Sequence, residues 1–173
     1  GAYRMDKKEA DWEKNDITDQ IDYSRYYGGA GCSFFRCANV LDNTKGIYDE
    51  LKNVYYKYPA QLPPLKWLDD AVPEAPSEIK VRKENNELEL TWDVPEGKSD
   101  SLSYTVYYAI NDSVDTQTSS HMLATGVRGN SFRLPLTDET ERMYSFCVTS
   151  STRYRIESKP SKETIYYLLP YEK

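Results

Sequence analysis

Histidine is almost absent from this 173-residue chain, with His121 standing alone, and cysteine occurs only at 32, 37 and 147. A zinc site therefore has almost no nitrogen or sulfur ligands to draw on. Three thiols cannot all pair and there is no Cys-x-x-Cys, so no disulfide framework is implied; neither a metal nor a cofactor is expected. No stretch is long and apolar enough to span a bilayer. The N-terminus lacks the charged start, apolar run and small-residue cleavage site of a secretory leader. Positive charge is in deficit, with 22 Lys plus Arg against 28 Asp plus Glu and a net charge of −6. That leaves no basic footprint for a phosphate backbone, and nucleic acid is not expected as a partner.

What the chain does have is 39% apolar and 13% aromatic residues, mostly tyrosine, with an ordinary charged fraction of 29%. That composition folds. The reading divides the chain into residues 1–58, a Pro-rich linker over 59–76, and residues 77–173. In the first part, Ala2 to Met5 reads as the end of a short strand and a helix is expected from about Asp11 to Tyr27, with Trp12, Ile17 and Ile21 as a thin apolar stripe. Ala30 to Arg36 is rich in small and aromatic residues, as in a strand buried on both faces of a parallel sheet. Beyond Thr44 the spacing of Ile47, Leu51, Val54, Tyr55 and Tyr58 predicts an amphipathic helix reaching Tyr58. This order is βαβα, two units of a parallel α/β fold. A barrel needs eight strands and roughly 250 residues. Because Gly1 begins abruptly inside an apolar pattern, the remainder is expected upstream.

From Ser77 onward the period changes to two: Leu88, Leu90 and Trp92 alternate with Glu87, Glu89, Thr91 and Asp93. Tyr104, Val106 and Tyr108 repeat the pattern, as do Phe132 and Leu134, then Tyr144, Phe146 and Val148. With Ile79 to Val81 and Thr164 to Leu168, six or seven short strands are expected. Parity puts Trp92, Tyr104, Val106, Phe146 and Val148 inward and turns Tyr107 and one of Tyr166 and Tyr167 outward. Between the two parts, Pro59, Pro63, Pro64, Pro73 and Pro76 cannot continue a helix, and Trp67 is expected to anchor the linker by packing.

Trp92, the Tyr104-Thr-Val-Tyr-Tyr108 strand and Tyr144-x-Phe-x-Val148 resemble a fibronectin type III domain. The linker Ala60-Gln-Leu-Pro-Pro-Leu-Lys-Trp-Leu-Asp69, with Gly31, the Phe34-Phe35 pair and Gly46-Ile-Tyr-Asp-Glu-Leu51 upstream, is similar to the end of bacterial glycosyl hydrolase-like proteins of family 10. The resemblance implies an α/β remnant of a (β/α)8 barrel, two βα units long, followed by an all-β fibronectin type III-like sandwich. It also implies a parent enzyme that cleaves polysaccharide or cell-wall glycan in the bacterial cell envelope or periplasm, with this chain lacking a complete active site. The rival reading is a non-catalytic module that binds carbohydrate or protein.

Hydrolysis of a glycosidic bond needs two carboxyl groups about 5 to 10 Å apart. Asp6, after the first expected strand, is the one catalytic candidate, against the plainer role of a solvated loop charge paired with Arg4. Phe35 and Arg36, at the end of the second, are candidates to stack on a sugar ring and to hold a carboxylate, with Arg4 as a further substrate-binding candidate; packing is the competing role for the aromatic. Two strands with open edges invite self-association through this part. Tyrosines 55, 56, 58, 107, 108, 166 and 167 are explained more cheaply by propensity than by a sugar platform.

Overall fold

The computed structural model describes residues 4–5, 12–94, 101–137, 140 and 142–169. The chain divides into two compact units, residues 1–57 and 58–173.

In the first unit every regular element among the described residues is helical, which overturns the barrel remnant. Arg4 and Met5 lie in a 3-10 turn, while Ala2, Tyr3 and Asp6 fall outside the described residues. Ala30 to Arg36 forms no strand; residues 30–33 are exposed and a bend follows at Phe35. The physical reason is pairing. A parallel strand is stable only when neighbours take up its ladder and helices cover both its faces, and Ala-Gly-Cys-Ser brings little side-chain surface of its own. Among the described residues of this unit there are no strands and so no open edges, and the basis for self-association through this part falls.

Helix α1 spans Lys14–Tyr26 and buries Ile17, Thr18 and Ile21. Its start is set by Asp16, whose carboxylate accepts the Glu13 N–H at 2.8 Å, satisfying a donor that the helix itself leaves open. Gly29 donates to the Ser24 carbonyl at 2.7 Å beyond its C-terminus. A Cβ at Gly29 would lie 2.8 Å from that carbonyl oxygen, so this close approach requires glycine. Helix α2 is Cys37–Leu41. The helix expected over 44–58 is broken: a 3-10 turn at Thr44–Gly46 contains Lys45 at φ 52°, α3 covers only Ile47–Glu50, and a π-turn continues over Leu51–Tyr55. Met5, Ile17, Ile21, Ile47 and Leu51 form the small core of this unit.

The second unit is two antiparallel sheets. The strands are β1 (Ser77–Glu84), β2 (Glu87–Asp93), β3 (Ser103–Ile110), β4 (Met122–Val127), β5 (Ser131–Pro135), β6 (Arg142–Ser151) and β7 (Thr164–Leu168). Their order is β1-β2-β5 in one sheet and β4-β3-β6-β7 in the other. A two-residue turn at Asn85-Asn86 joins β1 to β2, with Asn85 at φ 54°, a left-handed conformation that asparagine tolerates. Leu88, Leu90 and Trp92 of β2 meet Tyr104 and Val106 of β3 and Tyr144, Phe146 and Val148 of β6 in one core. Trp92 and Tyr104 pack with ring centroids 5.3 Å apart.

The solvent side of the three-stranded sheet carries a charge ladder: Glu89 lies 2.5 Å from Arg82 and 3.0 Å from Arg133, which also reaches Glu84 at 3.2 Å. The Arg82 hydrogen bond is the main cause holding the Glu89 carboxyl below its usual range, with both guanidinium charges adding to it. Glu89 is buried beneath the two exposed arginines, so losing both would leave its carboxylate covered and unpaired.

Candidate functional site

The outer face of the four-stranded sheet is covered over β3 and β6, where Gln61 of the segment 58–76 is bonded down, while Ile165 and Tyr167 of β7 stay exposed. Tyr107, expected outside, is 1% exposed. Its hydroxyl donates to Glu157 Oε1 at 2.9 Å, and the same oxygen accepts from Thr149 Oγ1 at 2.5 Å and from Gln61 Nε2 at 2.7 Å. Gln61 Nε2 also lies 3.0 Å from Thr105 Oγ1 and 3.1 Å from the Tyr107 hydroxyl. Burial, reinforced by the Glu157 carboxylate, pushes the Tyr107 phenol up and keeps it neutral. Parity alone could not show this, because a second cover over a sheet turns its outward positions into a second core. The available signal was Thr105, Tyr107, Ala109, Ser145, Cys147 and Thr149, a face without a charged residue.

Cys147, on that same covered face, is pushed up to about 12 by burial, with Glu163 and Glu157 adding to the rise. The unfolded chain releases this proton near its ordinary value of 9.0, so the folded state binds more protons between 9.0 and about 12. Stability is therefore expected to fall as pH rises through that window, with Tyr107 steepening the fall. Urea titrations at stepped alkaline pH under reducing conditions should show a shallower decline for Cys147→Ala than for the parent chain. An identical slope in the two proteins would contradict this.

The same segment builds a cleft. Leu65 N–H donates to the Tyr154 carbonyl at 2.8 Å, and Leu68 N–H closes a turn onto Leu65 at 2.9 Å. That turn holds Trp67 at its tip, 76% exposed, where packing had been expected. Asp69 Oδ1 accepts the Ala71 N–H at 3.0 Å, bending the chain toward Pro73, which is buried. Further along, Ser150 Oγ donates to the Glu74 carbonyl at 2.5 Å. The cleft has a volume of about 400 Å³, with Leu68, Asp69, Ser101, Thr152, Arg153 and Tyr154 on its walls. Arg153 lies 4.5 Å over the Tyr154 ring and hydrogen-bonds its hydroxyl. Thr152 N–H donates to the Ile156 carbonyl at 3.0 Å and Ile156 N–H to Thr152 Oγ1 at 3.3 Å, shaping the loop that carries Arg153 and Tyr154.

Chemically, the cleft offers the Tyr154 ring, one carboxylate, one guanidinium and two hydroxyls, with the exposed indole of Trp67 one residue before Leu68. Those groups suit the C–H faces and hydroxyl groups of a polar ring. Among the described lining residues there is one carboxylate, Asp69, where glycosidic hydrolysis needs two.

The residues singled out from sequence lie in the other unit. Asp6 is outside the described residues. Arg4 is exposed with its guanidinium 5.5 Å from the Trp12 ring centroid. Phe35 is 70% exposed. Arg36 is exposed and adopts φ 65° at the start of α2. The strand meant to present Phe35 and Arg36 to a sugar is absent. Of the tyrosines, Tyr55 donates to Asp22 at 2.9 Å, and its phenol is raised chiefly by burial and then by that bond. Tyr108 and Tyr166 pack against the sandwich core, and Tyr167 is exposed. Among the described residues no helix is long and apolar enough to cross a membrane, and no group of three metal-ligating side chains converges.

The chain is β-rich, with a cleft in which Asp69 is the one carboxylate among the described lining residues. No family model matches the chain. It is 31% identical over 137 residues to "Glycosyl hydrolase YngK" of Bacillus subtilis (strain 168), an alignment covering 78% of this chain and 26% of that protein. The chain thus spans about a quarter of the curated relative. Among solved structures, a family 28 exopolygalacturonase of Yersinia enterocolitica superposes with a TM-score of 0.43 at 14% identity, over 58% of this chain and 21% of that one. That superposition is too partial to carry an argument.

Proposed function

We propose that this chain is the glycan-contacting portion of a longer glycoside hydrolase, in which it binds polysaccharide while hydrolysis is carried out elsewhere. The observation that carries the reading is Trp67, an indole held in solvent by a hydrogen-bonded turn and followed directly in sequence by Leu68 and Asp69, which line a cleft with Arg153 and Tyr154. A large aromatic exposed in this way has given up burial energy that a core position would return. Stacking on a sugar face recovers it. The similarity to a glycosyl hydrolase over 78% of the chain supports carbohydrate as the ligand class.

In the same reading the second unit is a fibronectin type III-like sandwich, supported by its three-plus-four strand division. An exposed Phe35 with Arg36 and Arg4 offers further sugar contacts. A bacterial envelope or periplasmic location belongs to this proposal and is tested by fractionation of the native host.

The test incubates the 173-residue chain with cell-wall glycan and a panel of polysaccharides, measuring retention in affinity electrophoresis and new reducing ends. Retention without turnover is expected, and Trp67→Ala should weaken it by about tenfold or more, as loss of a central aromatic contact does. Turnover above a heat-inactivated control, or retention unchanged in Trp67→Ala, would overturn the reading.

A further inference from the structure

Helix α1 presents a second surface whose chemistry differs from the Trp67 cleft. Asp19, Asp22, Tyr23 and Tyr26 recur at i, i+3, i+4 and i+7 and so share one face, away from the buried Ile17, Thr18 and Ile21. Tyr23, Tyr26 and Tyr27 are 66%, 82% and 80% exposed. With the two aspartates they line a cleft of about 420 Å³. Tyr26 and Tyr27 meet edge to face, with centroids 5.1 Å apart. Single exposed aromatics are ordinary on a protein surface; three adjoining rings around two carboxylates mark a contact site.

The sign of the charge narrows the occupant. Arg25, the basic residue of this helical turn, is engaged elsewhere: it donates to the Tyr55 carbonyl at 2.8 Å and lies over the Tyr55 and Tyr56 rings at 5.4 and 5.6 Å. The cleft is thus walled by two carboxylates and three electron-rich rings, with no cation among its lining residues. Asp22 is further oriented by the Tyr55 hydroxyl, which donates to it at 2.9 Å. Tyrosine faces attract an ammonium group, and carboxylates accept its N–H bonds. A sugar acid would meet like charge here.

We infer that this face of α1 binds an amino-bearing sugar unit, its ammonium held by Asp19 and Asp22 and its C–H face laid on the tyrosine rings. The inference rests on the glycan-contacting reading and adds to it a separate site with a preference for cationic glycan. The experiment titrates the 173-residue chain at low ionic strength with oligomers of glucosamine, N-acetylglucosamine and galacturonate, following heat and amide chemical shifts. The glucosamine oligomer is expected to bind at least about tenfold more tightly than the N-acetylated one, with salt weakening it, and the galacturonate oligomer not to bind. Shifts should map to α1. Tyr26→Ala and Asp19→Asn, both solvent-facing and checked for fold by circular dichroism, should each weaken binding by about fivefold or more. Equal affinity for the acetylated and free-amine oligomers, absence of binding, or indifference to both α1 substitutions would overturn it. Polysaccharide retention lost only in Trp67→Ala would leave the proposed function standing while this site falls.

Discussion

Replacing Trp92 with alanine is expected to remove about 3 to 5 kcal/mol of stability, the range for deleting a fully buried large aromatic. The ring is 1% exposed and packs on Tyr104 within a core drawn from both sheets. Its indole nitrogen finds no hydrogen-bond partner among the described residues. The cost is therefore packing alone, with no broken polar contact adding to it, and Trp92→Phe should recover more than half. Urea denaturation followed by far-ultraviolet circular dichroism measures the loss independently of indole fluorescence. A loss below about 1 kcal/mol would mean that the ring does not hold the core together. The neighbouring Tyr104 supplies a control of opposite logic. Its buried hydroxyl also lacks a partner among the described residues, so Tyr104→Phe is expected to be neutral or slightly stabilising.

How much of this was legible in the sequence depends on what holds each element. Strands β2, β3 and β6 were visible because one face alternates large apolar residues strictly, and the inward set Trp92, Tyr104, Val106, Phe146 and Val148 is buried together. Strand β4, Met-Leu-Ala-Thr-Gly-Val, gave no comparable signal. Its small residues blur the alternation, and its pairing with β3 is broken by register shifts. In the first unit the stripe of Ile17 and Ile21 marked α1, yet Ala30 to Arg36 was read as a strand on composition alone. A parallel strand is decided by partners outside the segment, and no local pattern reports whether they exist. The helix expected over 44–58 broke for a local reason, left-handed backbone at Asn43, Lys45 and Gly46.

The site was less legible than the fold. Sequence reasoning looked for carboxylates at strand ends and treated Trp67 as a packing anchor, because a tryptophan among prolines and leucines is usually buried. Its exposure follows from contacts remote in sequence: the Leu65 bond to Tyr154 and the seating of Gln61 on β3. Gln61 was the unmarked residue. Nothing in Ala60-Gln-Leu-Pro-Pro distinguishes a glutamine that ties down a segment from one in water, and its partners at 105, 107 and 157 lie far along the chain.

That tie carries the second large effect. Glu157 Oε1 accepts three hydrogen bonds, from Gln61, Tyr107 and Thr149. Tyr107 and Thr149 are buried, so removing the acceptor strands two hydroxyls in a place water does not freely reach. Each such group costs about 1 to 3 kcal/mol, and Glu157→Ala is expected to lose about 2 to 4 kcal/mol in urea denaturation. Glu157→Gln keeps a carbonyl oxygen for the same donors and should lose distinctly less; Tyr107→Phe, which deletes one donor and leaves the acceptor its other two, should also be milder. The structural consequence should appear one step away. With Gln61 released, the segment 58–76 loosens on the sheet, and the Leu65 amide that donates to Tyr154 should exchange with solvent faster in Glu157→Ala. Glycan retention should weaken in parallel, since the turn bearing Trp67 hangs from that bond. Unchanged Leu65 protection in Glu157→Ala would show that the segment is held without this network, and that the exposure of Trp67 has another cause.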